Sequence, residues 1–202
     1  NPDPKVTMTL NGNSYSPQSP EHAISAGVFM CPKDRASNAV VSEFDISNNL
    51  ALPFFKRHSR LSFIRNKSLT QNARNSINEL GIGCQSEMDS VTTLSGGNQQ
   101  KVMVGRWLAE DSSVLLLDEP FQGVDIKARR DIGHQIRSTS RQRATIIFVA
   151  ELDEALEIAD RVIVLHEGNL VGDYQNKSKN IPKIVSSFSG SANNLDSANY
   201  GT

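Results

Sequence analysis

The sequence predicts an α/β fold with an inserted α-helical subdomain, and three observations support this prediction. Short apolar runs alternate with helical patterns over residues 114–171, as expected for parallel strands joined by crossover helices. Residues 45–108 contain helical patterns with basic and polar faces. The end of the chain has few core-forming side chains. We therefore divide the 202 residues into a β/α portion (1–44), a helical subdomain (45–108), an α/β portion (109–175) and a polar, disordered tail (176–202).

The composition excludes several classes of protein. A formal net charge of -1 provides no field that would attract nucleic acid or anionic lipid. No apolar run approaches the roughly 20 residues that a membrane-spanning helix requires. Cys31 and Cys84 are far apart and lack a C-x-x-C spacing, so neither a disulfide framework nor a zinc site is indicated. We expect a protein of a reducing cytoplasm whose membrane association depends on a partner.

The first portion reads as a hairpin, a short helix and a buried strand. Residues 6–10 are strand-like and precede the turn residues Asn-Gly-Asn at 11–13. Ser19 and Pro20 form a helix start, and Gly27 ends that helix. The apolar run 28–30 follows as a buried-strand candidate. Because the chain begins without Met or a signal peptide, we interpret it as part of a longer polypeptide.

The helical subdomain is predicted from apolar spacing. Leu69, Ala73, Ile77 and Leu80 recur at helical intervals within 68–80. The basic stretch 56–67 is better explained as a solvated helix face than as a nucleic-acid patch, because the nearby phenylalanines resemble core residues. A helix over 98–108 closes this subdomain.

The third portion alternates strand and helix along the chain. The expected elements are strand 114–117, helix 126–137, strand 144–149, helix 152–159, strand 162–165, a turn at 167–168 and strand 170–171. This order predicts a parallel layer with crossover helices.

Residues 93–101 carry the most informative motif. Gly96 and Gly97 expose the backbone where the helix 98–108 begins, and a helix start presents amide groups and a positive dipole end to an anion. The Ser95 hydroxyl can hydrogen-bond a phosphate oxygen. A bare Ser-Gly-Gly is more often an ordinary helix-capping loop, so the motif needs its neighbours to be informative.

The neighbouring motif is an apolar strand that ends in two acids. Residues 114–117 lead directly into Asp118 and Glu119, at the strand end where open α/β sheets place ligand sites. Asp118 suits Mg²⁺ or its bound water, and Glu119 suits a general base. Alone, the pattern also fits a core strand that runs into an acidic turn. The two motifs in this order, separated by one helix, make a chance match improbable.

Together these residues resemble an ABC transporter ATPase. Residues 94–101 (Leu-Ser-Gly-Gly-Asn-Gln-Gln-Lys) resemble the ABC signature in its sugar-importer form, residues 114–120 the Walker B strand and residues 123–125 the D-loop. Residues 26–35 and 159–168 are similar to the second ATP-binding half of tandem sugar importers. The resemblance covers roughly residues 10–172 and implies a partial ABC-ATPase core of the P-loop NTPase type.

The resemblance assigns expected roles to individual residues. The nucleotide-binding set is Ser95, Gly96, Gly97 and Gln99; Gly123 and Asp125 belong to the D-loop; Glu119 is the candidate catalytic residue; and Asp118 holds Mg²⁺ through water. The implied cofactors are ATP and Mg²⁺.

Three departures limit the activity that the resemblance implies. The phosphate-binding pattern G-x-x-x-x-G-K-[ST] is absent from this sequence. Lys33 stands where the family has the glutamine of the Q-loop, and an ammonium repels a metal ion. Ala150 stands where the family has the switch histidine, and a methyl group cannot hydrogen-bond a phosphate. These degenerate positions imply a half that closes over ATP held by another half, and an isolated chain that is inactive.

The implied function is that of the ATPase component of a bacterial sugar importer. The implied partners are another ATPase half, transmembrane permease subunits and, indirectly, a periplasmic sugar-binding protein, on the cytoplasmic side of the inner membrane. Two alternatives remain open at this point: a non-transport ABC ATPase acting on DNA, and an inactive regulatory or assembly module. The sequence does not name the sugar.

Overall fold

The computed structural model describes residues 7–33, 40–60, 63–64 and 66–189, without the side chains of 56–66. Its contacts divide the chain into two units, Asn1–Phe148 and Val149–Thr202, and each is described by itself. In chain order, the first unit contains β1 (Thr9–Leu10), β2 (Asn13–Ser14), α1 (Pro20–Ser25), β3 (Val28–Cys31), α2 (Ile46–Ala51), β4 (Ser59–Arg60), β5 (Phe63–Ile64), α3 (Asn66–Leu80), α4 (Gly96–Leu108), β6 (Val114–Asp118), α5 (Ile126–Ser138) and β7 (Ala144–Phe148). The second unit contains α6 (Leu152–Ile158), β8 (Arg161–His166), β9 (Asn169–Gln175) and α7 (Ile181–Phe188).

A three-stranded parallel sheet forms the centre of the first unit. The strand order is β3-β6-β7, and Cys31 of β3 lies opposite Leu117 of β6. The apolar runs form these strands, and the face of the sheet towards α4 is covered: Phe29 and Leu115, which are neighbours in the register, are fully buried. The predicted α/β fold is confirmed.

Helices α2, α3 and α4 form the helical layer. Their core includes Ile46, Leu50, Ala73, Leu80 and Val102, all buried. The predicted helical spacing of α3 is confirmed, because Leu69, Ala73 and Leu80 are buried at intervals of three to four residues.

An aromatic cluster joins the helical layer to the sheet. The ring of Phe29 on β3 lies 5.1 Å from that of Phe54 and 5.7 Å from that of Trp107 on α4. Such tilted contacts are favourable beyond the area that they bury. The cluster fixes α4, and with it the glycine motif, against the sheet.

Three predictions differ from the structure. Strands 162–165 and 170–171 were expected in the parallel layer, but β8 and β9 form a separate antiparallel hairpin. The basic stretch 56–67 was expected on a helix face, but its backbone forms a 3-10 turn over Leu52–His58 and the antiparallel pair β4–β5 before α3 begins. The tail expected from residue 176 contains α7, because the side chain of Ile184 is fully buried against β8. Residues 190–202 lie outside the described residues.

One face of the sheet and one of its edges are open in the described part of the first unit. A groove of about 910 Å³ is lined by apolar side chains that include Met30, Leu116 and Ile146. Ile146 and Phe148 of β7 are about half exposed, although a parallel strand is normally covered on both faces.

The second unit is a hairpin covered by helices. Strands β8 and β9 pair antiparallel, and Val162, Val164 and Ile184 form their core. Arg161 and Asp173 form an exposed ion pair across the hairpin. In both units, no helix of the described residues is long and apolar enough to cross a membrane.

Candidate functional site

The glycine motif forms the exposed tip of α4. Ser95 is the N-cap of the helix: its hydroxyl oxygen accepts from the backbone N–H of Asn98 at 3.4 Å and from Asn98 Nδ2 at 3.1 Å. Ser95 and Gly96 are exposed, and Gly97 is partly exposed. Serine is favoured at this position because its oxygen satisfies a first-turn amide, and a hydroxyl that accepts a hydrogen bond can still donate its own proton. We name Ser95, Gly96 and Gly97 the signature tip.

The glutamine that follows the tip supports the turn that precedes it. Gln99 Nε2 donates to the carbonyl oxygens of Val91 and Leu94, each at 3.3 Å. The amide therefore stabilises the 3-10 turn Val91–Thr93, which leads into the tip. The expected contact between Gln99 and nucleotide remains a prediction.

The D-loop residues lie beside the signature tip. Asp125 is the N-cap of α5, and its Oδ1 accepts from the Ala128 N–H at 2.8 Å. A Cβ atom added to Gly97 would lie 3.4 Å from Ala128 Cβ and 3.8 Å from Asp125 Oδ2. The structure therefore brings Gly97 and Asp125 together, and the first turns of α4 and α5 pack against each other. Gly123 lies before α5 and has a left-handed φ of 65°, a conformation that glycine adopts readily.

The two acids lie at the carboxyl end of β6. Asp118 is its last residue and pairs with Phe148 of β7. Glu119 has a φ of 48°, a left-handed conformation that costs a non-glycine residue about 1–2 kcal/mol. Its N–H donates to the Phe148 carbonyl at 2.9 Å, and its carbonyl accepts from the Gln122 N–H at 3.1 Å. Such strain is typical of functional sites. The left-handed conformation also turns the backbone away from the direction of β6 at Glu119.

A buried thiol lies on the neighbouring strand. Cys31 is fully buried, and burial raises the pKa of its thiol to about 12, although the charge of Arg106 acts in the opposite direction. A thiol that remains protonated is a poor nucleophile. Cys31 therefore serves as a core residue.

The two degenerate positions are exposed. Lys33 lies two residues beyond β3, and since β3 and β6 are parallel, it follows the same end of the sheet as Asp118. Ala150 lies in the second unit, two residues beyond β7. Of the expected set, the first unit therefore contains the signature tip, the D-loop, the two acids and Lys33, but not Ala150.

Three buried polar side chains of α4 escaped the sequence analysis. Gln100, Lys101 and Arg106 are each at most 4% exposed. Lys101 Nζ donates to Asp131 Oδ2 at 2.6 Å and to the Gly81 carbonyl at 2.9 Å. In the sequence, these residues resemble a solvent-exposed polar face of a helix. A signal for their burial was present, because each lies next to apolar residues on a short helix.

The buried guanidinium of Arg106 holds α2. Its Nε donates to the Asn49 carbonyl at 2.6 Å, and its Nη2 donates to Asn49 Oδ1 at 3.3 Å. Burial lowers the pKa of Arg106 to about 10, which leaves it charged at neutral pH. These bonds fix the orientation of the helix that carries the tip.

The signature tip and Asp118 offer groups that are suited to phosphate and to Mg²⁺. The tip offers first-turn amides, a hydroxyl and the positive end of a 13-residue helix, the features of an anion site. Within the described residues, no group of three or more His, Cys, Asp or Glu side chains lies together. Asp118 fits Mg²⁺ because that ion is commonly held by one or two carboxylates, water and the phosphates of a substrate.

Comparison with known proteins gives consistent matches. The sequence model of the ABC transporter family matches residues 5–122. The arabinose import ATP-binding protein AraG of Pectobacterium atrosepticum is 35% identical over 89% of this chain and 36% of that protein. The xylose import ATP-binding protein XylG of Thermoanaerobacter pseudethanolicus is 34% identical over 87% of this chain and 35% of that protein. The ribose import ATP-binding protein RbsA 2 of Rubrobacter xylanophilus is 33% identical over 89% of this chain and 35% of that protein.

The chain spans about a third of the length of these curated relatives. A solved structure of similar fold is the dimeric, post-hydrolysis state of the ATP-binding cassette MJ0796 bound to ADP and Pi. It has a TM-score of 0.69 and 15% identity over 85% of this chain and 74% of that chain. The family match covers more than half of the 202 residues and includes the signature tip and both acids, and the chain therefore belongs to the ABC transporter family.

Proposed function

We propose that this chain is part of the ATPase component of a bacterial sugar importer and that its signature tip closes over ATP held by another ATPase half. The observation that carries the proposal is the tip itself. Ser95 caps an exposed helix start with two glycines, and this start is anchored in the core by the buried residues of α4. The sugar-import relatives support transport rather than an action on DNA.

The residues of this chain act by binding and positioning. The Ser95 hydroxyl and the first-turn amides of α4 hydrogen-bond phosphate oxygens, while the helix dipole favours the negative charge. Gly97 allows the backbone to approach both the phosphate and α5. Asp125 holds the start of α5 beside the tip, which places the D-loop in the same closing surface.

The acids belong to the nucleotide site on this chain's own half. Asp118 would hold Mg²⁺ through a bound water, and Glu119 would act as the general base for an attacking water. Mg²⁺, when bound, neutralises part of the phosphate charge. Because Lys33 and Ala150 replace the residues that would help hydrolysis, we propose that this site hydrolyses poorly and that the isolated chain hydrolyses essentially no ATP.

The whole protein is proposed to work at the membrane surface. ATP-driven closure of the two halves would shift the conformation of transmembrane permease subunits, on the cytoplasmic side of the inner membrane. A periplasmic sugar-binding protein would deliver the solute. These partners are inferred from the sugar-import relatives, which are about two and a half times as long as this chain.

The experiment combines this chain with an ABC ATPase half that has its own G-x-x-x-x-G-K-[ST] loop. ATP-dependent association and the rate of ATP hydrolysis are measured for the chain and for Ser95→Arg, whose side chain would occupy the tip. Ser19→Arg is the matched control, because Ser19 is the exposed N-cap of α1 and accepts from the His22 N–H.

We expect Ser95→Arg to abolish the ATP-dependent association and Ser19→Arg to leave it unchanged. If both variants associate with the partner and stimulate hydrolysis like the parent chain, the proposal is wrong. If Ser95→Arg still associates with the partner and the rate of ATP hydrolysis does not depend on the chain, the alternative of a regulatory or assembly module is favoured.

A further inference from the structure

One buried amide joins the signature helix to the turn after β6. Gln100 on α4 is 1% exposed, and its Nε2 donates to the carbonyl oxygen of Pro120 at 2.8 Å. Pro120 directly follows Glu119. The hydrogen bond therefore connects the helix that carries the signature tip with the turn that carries the carboxylate.

The turn at Glu119 needs such support because its backbone is strained. A left-handed φ of 48° persists in a non-glycine residue only when the surroundings hold it. Two of the bonds come from the backbone: the Glu119 N–H donates to Phe148, and the Glu119 carbonyl accepts from Gln122. The bond from Gln100 comes from a side chain, so a substitution can remove it without altering the strand.

Contacts on both sides of Gln100 prevent α4 from moving independently of α5. Near the tip, Gly97 lies against Ala128 on α5. One residue beyond Gln100, Lys101 forms its 2.6 Å ion pair with Asp131 of α5. A displacement of the tip is therefore passed to the segment between β6 and α5, and Gln100 contacts that segment directly after Glu119.

We infer that Gln100 is a positioning residue that links the signature tip to the Glu119 turn. The inference rests on the proposed function, in which the tip faces ATP on the other half and Glu119 faces the site on this half. The Gln100–Pro120 bond then connects the two nucleotide sites through one chain. Closure at one site changes the orientation of the carboxylate at the other.

The first test needs no nucleotide. Gln100→Met keeps the length of the side chain and removes its donor. We expect the backbone ¹³C shifts of Glu119 to lose their left-handed signature, and amide exchange at Glu119 and Gln122 to rise by about tenfold, the size expected from one lost hydrogen bond. The shifts of Asn11 and Glu167, which also have a positive φ, are internal controls that should not change.

A matched control is available on α5. Gln135 is 8% exposed, and its Nε2 donates to Glu79 Oε2 at 2.9 Å. Gln135→Met therefore removes a similar bond elsewhere in the same unit. If Gln135→Met disturbs Glu119 as much as Gln100→Met does, or if neither does, the inference is overturned.

A second variant covers the case in which Gln100→Met does not fold. Glu in place of Gln100 can donate to the Pro120 carbonyl only when its carboxyl group is protonated. We expect Gln100→Glu to show the parent Glu119 shifts at low pH and displaced shifts once the carboxyl ionises. Shifts that remain those of the parent chain across this titration would contradict the link.

The second readout measures transmission in the mixture with the competent ATPase half. Turnover in this mixture occurs at the partner's P-loop, over which the signature tip closes. We expect Gln100→Met to lower this kcat several-fold with little change in KM, because the tip loses its link to the Glu119 turn, whereas Gln135→Met retains the parent kcat. Loss of the Glu119 signature with an unchanged kcat refutes transmission. Failure of the proposed function is seen separately, as an absence of any effect of Ser95→Arg.

Discussion

Two of the three glycines within α4, Gly97 and Gly105, have different neighbours. A Cβ at Gly97 would meet Ala128 Cβ at an ordinary contact distance of 3.4 Å, whereas a Cβ at Gly105 would lie 2.5 Å from Leu80 Cδ1 and 3.4 Å from Leu50 Cδ2. Leu80 is 2% exposed and has little room to move. Gly97 is thus available for function, and Gly105 is required for packing.

The contrast gives a prediction about stability. Gly105→Ala should lower the free energy of unfolding by about 1–3 kcal/mol through overpacking, while Gly97→Ala should change it by less than about 1 kcal/mol. Urea denaturation of both variants measures this. In the mixture with an ATPase half, Gly97→Ala should weaken ATP-dependent association. Equal destabilisation by the two substitutions would contradict the assignment.

The buried thiol gives a prediction about pH. The pKa of Cys31 rises from an ordinary 9.0 to about 12 on burial, so the folded state retains a proton that the unfolded chain releases. The stabilisation is fully present below pH 9 and is lost as pH rises towards 12. We expect the difference in unfolding free energy between the parent chain and Cys31→Ala to shrink as pH rises from about 9 towards about 12. A difference that is constant with pH would show that the thiol ionises alike in both states.

Among the elements, α2 and α4 are joined through a polar core. Asn49 is fully buried, its Nδ2 donates to the carbonyls of Val41, Phe44 and Asp45, and its Oδ1 accepts from the Val41 N–H at 2.9 Å. The Asn49 side chain therefore fixes the backbone that leads into α2. Through its bonds with Arg106, it also connects α2 to the C-terminal end of α4.

Removal of this amide should be costly. Asn49→Ala leaves several buried donors and acceptors without a partner, and we expect a loss of about 2–4 kcal/mol in unfolding free energy. The neighbouring Asn48→Ala is the control: it removes a partly buried bond to Asp45 Oδ2 and should cost less than about 1.5 kcal/mol. Similar losses in the two variants, measured by chemical denaturation, would argue against a polar core.

Local signals in the sequence predicted the elements that begin or end at clear markers. The Ser95 N-cap and the apolar run before Asp118 located α4 and β6 to within two residues. The pair β4–β5 was missed because the basic residues of this stretch do not show the alternation of apolar and polar side chains that indicates a strand. Helix α7 was missed because the polar composition around it was given more weight than its local pattern. Ile181, Ile184 and Val185 do recur at helical spacing, and the burial of Ile184 against the hairpin stabilises the helix.

The same limit applies to the candidate site. The tip and the acids lie in contiguous motifs and were predicted. The partners of Gln99, Gln100 and Lys101 depend on how α4 packs on other elements, so a sequence cannot assign them.

Considered as a whole molecule, the first unit has an exposed apolar edge. In the described residues the sheet ends at β7, whose Ile146 and Phe148 are 48% and 49% exposed. The strand contains no charge, proline or bulge to oppose pairing. An edge of this kind pairs readily with another strand.

We therefore expect the isolated chain to self-associate through β7 at concentrations of tens of micromolar, roughly where exposed apolar edges become aggregation-prone. Ile146→Lys should shift sedimentation velocity profiles towards the monomer. Met88→Lys is the control, since Met88 is 62% exposed in a loop away from the sheet. A monomeric parent chain, or an equal effect of both substitutions, would rule out this edge as the contact.

The exposure of Lys33 and Ala150 has an evolutionary consequence. Neither side chain contributes to a hydrophobic core, so exchange at these positions leaves folding essentially untouched. Selection for a stable protein therefore does not act on such changes, and only selection for the rate of ATP hydrolysis would oppose them. Under the proposed function, two ATPase halves of the same architecture can therefore come to contribute unequally to ATP hydrolysis.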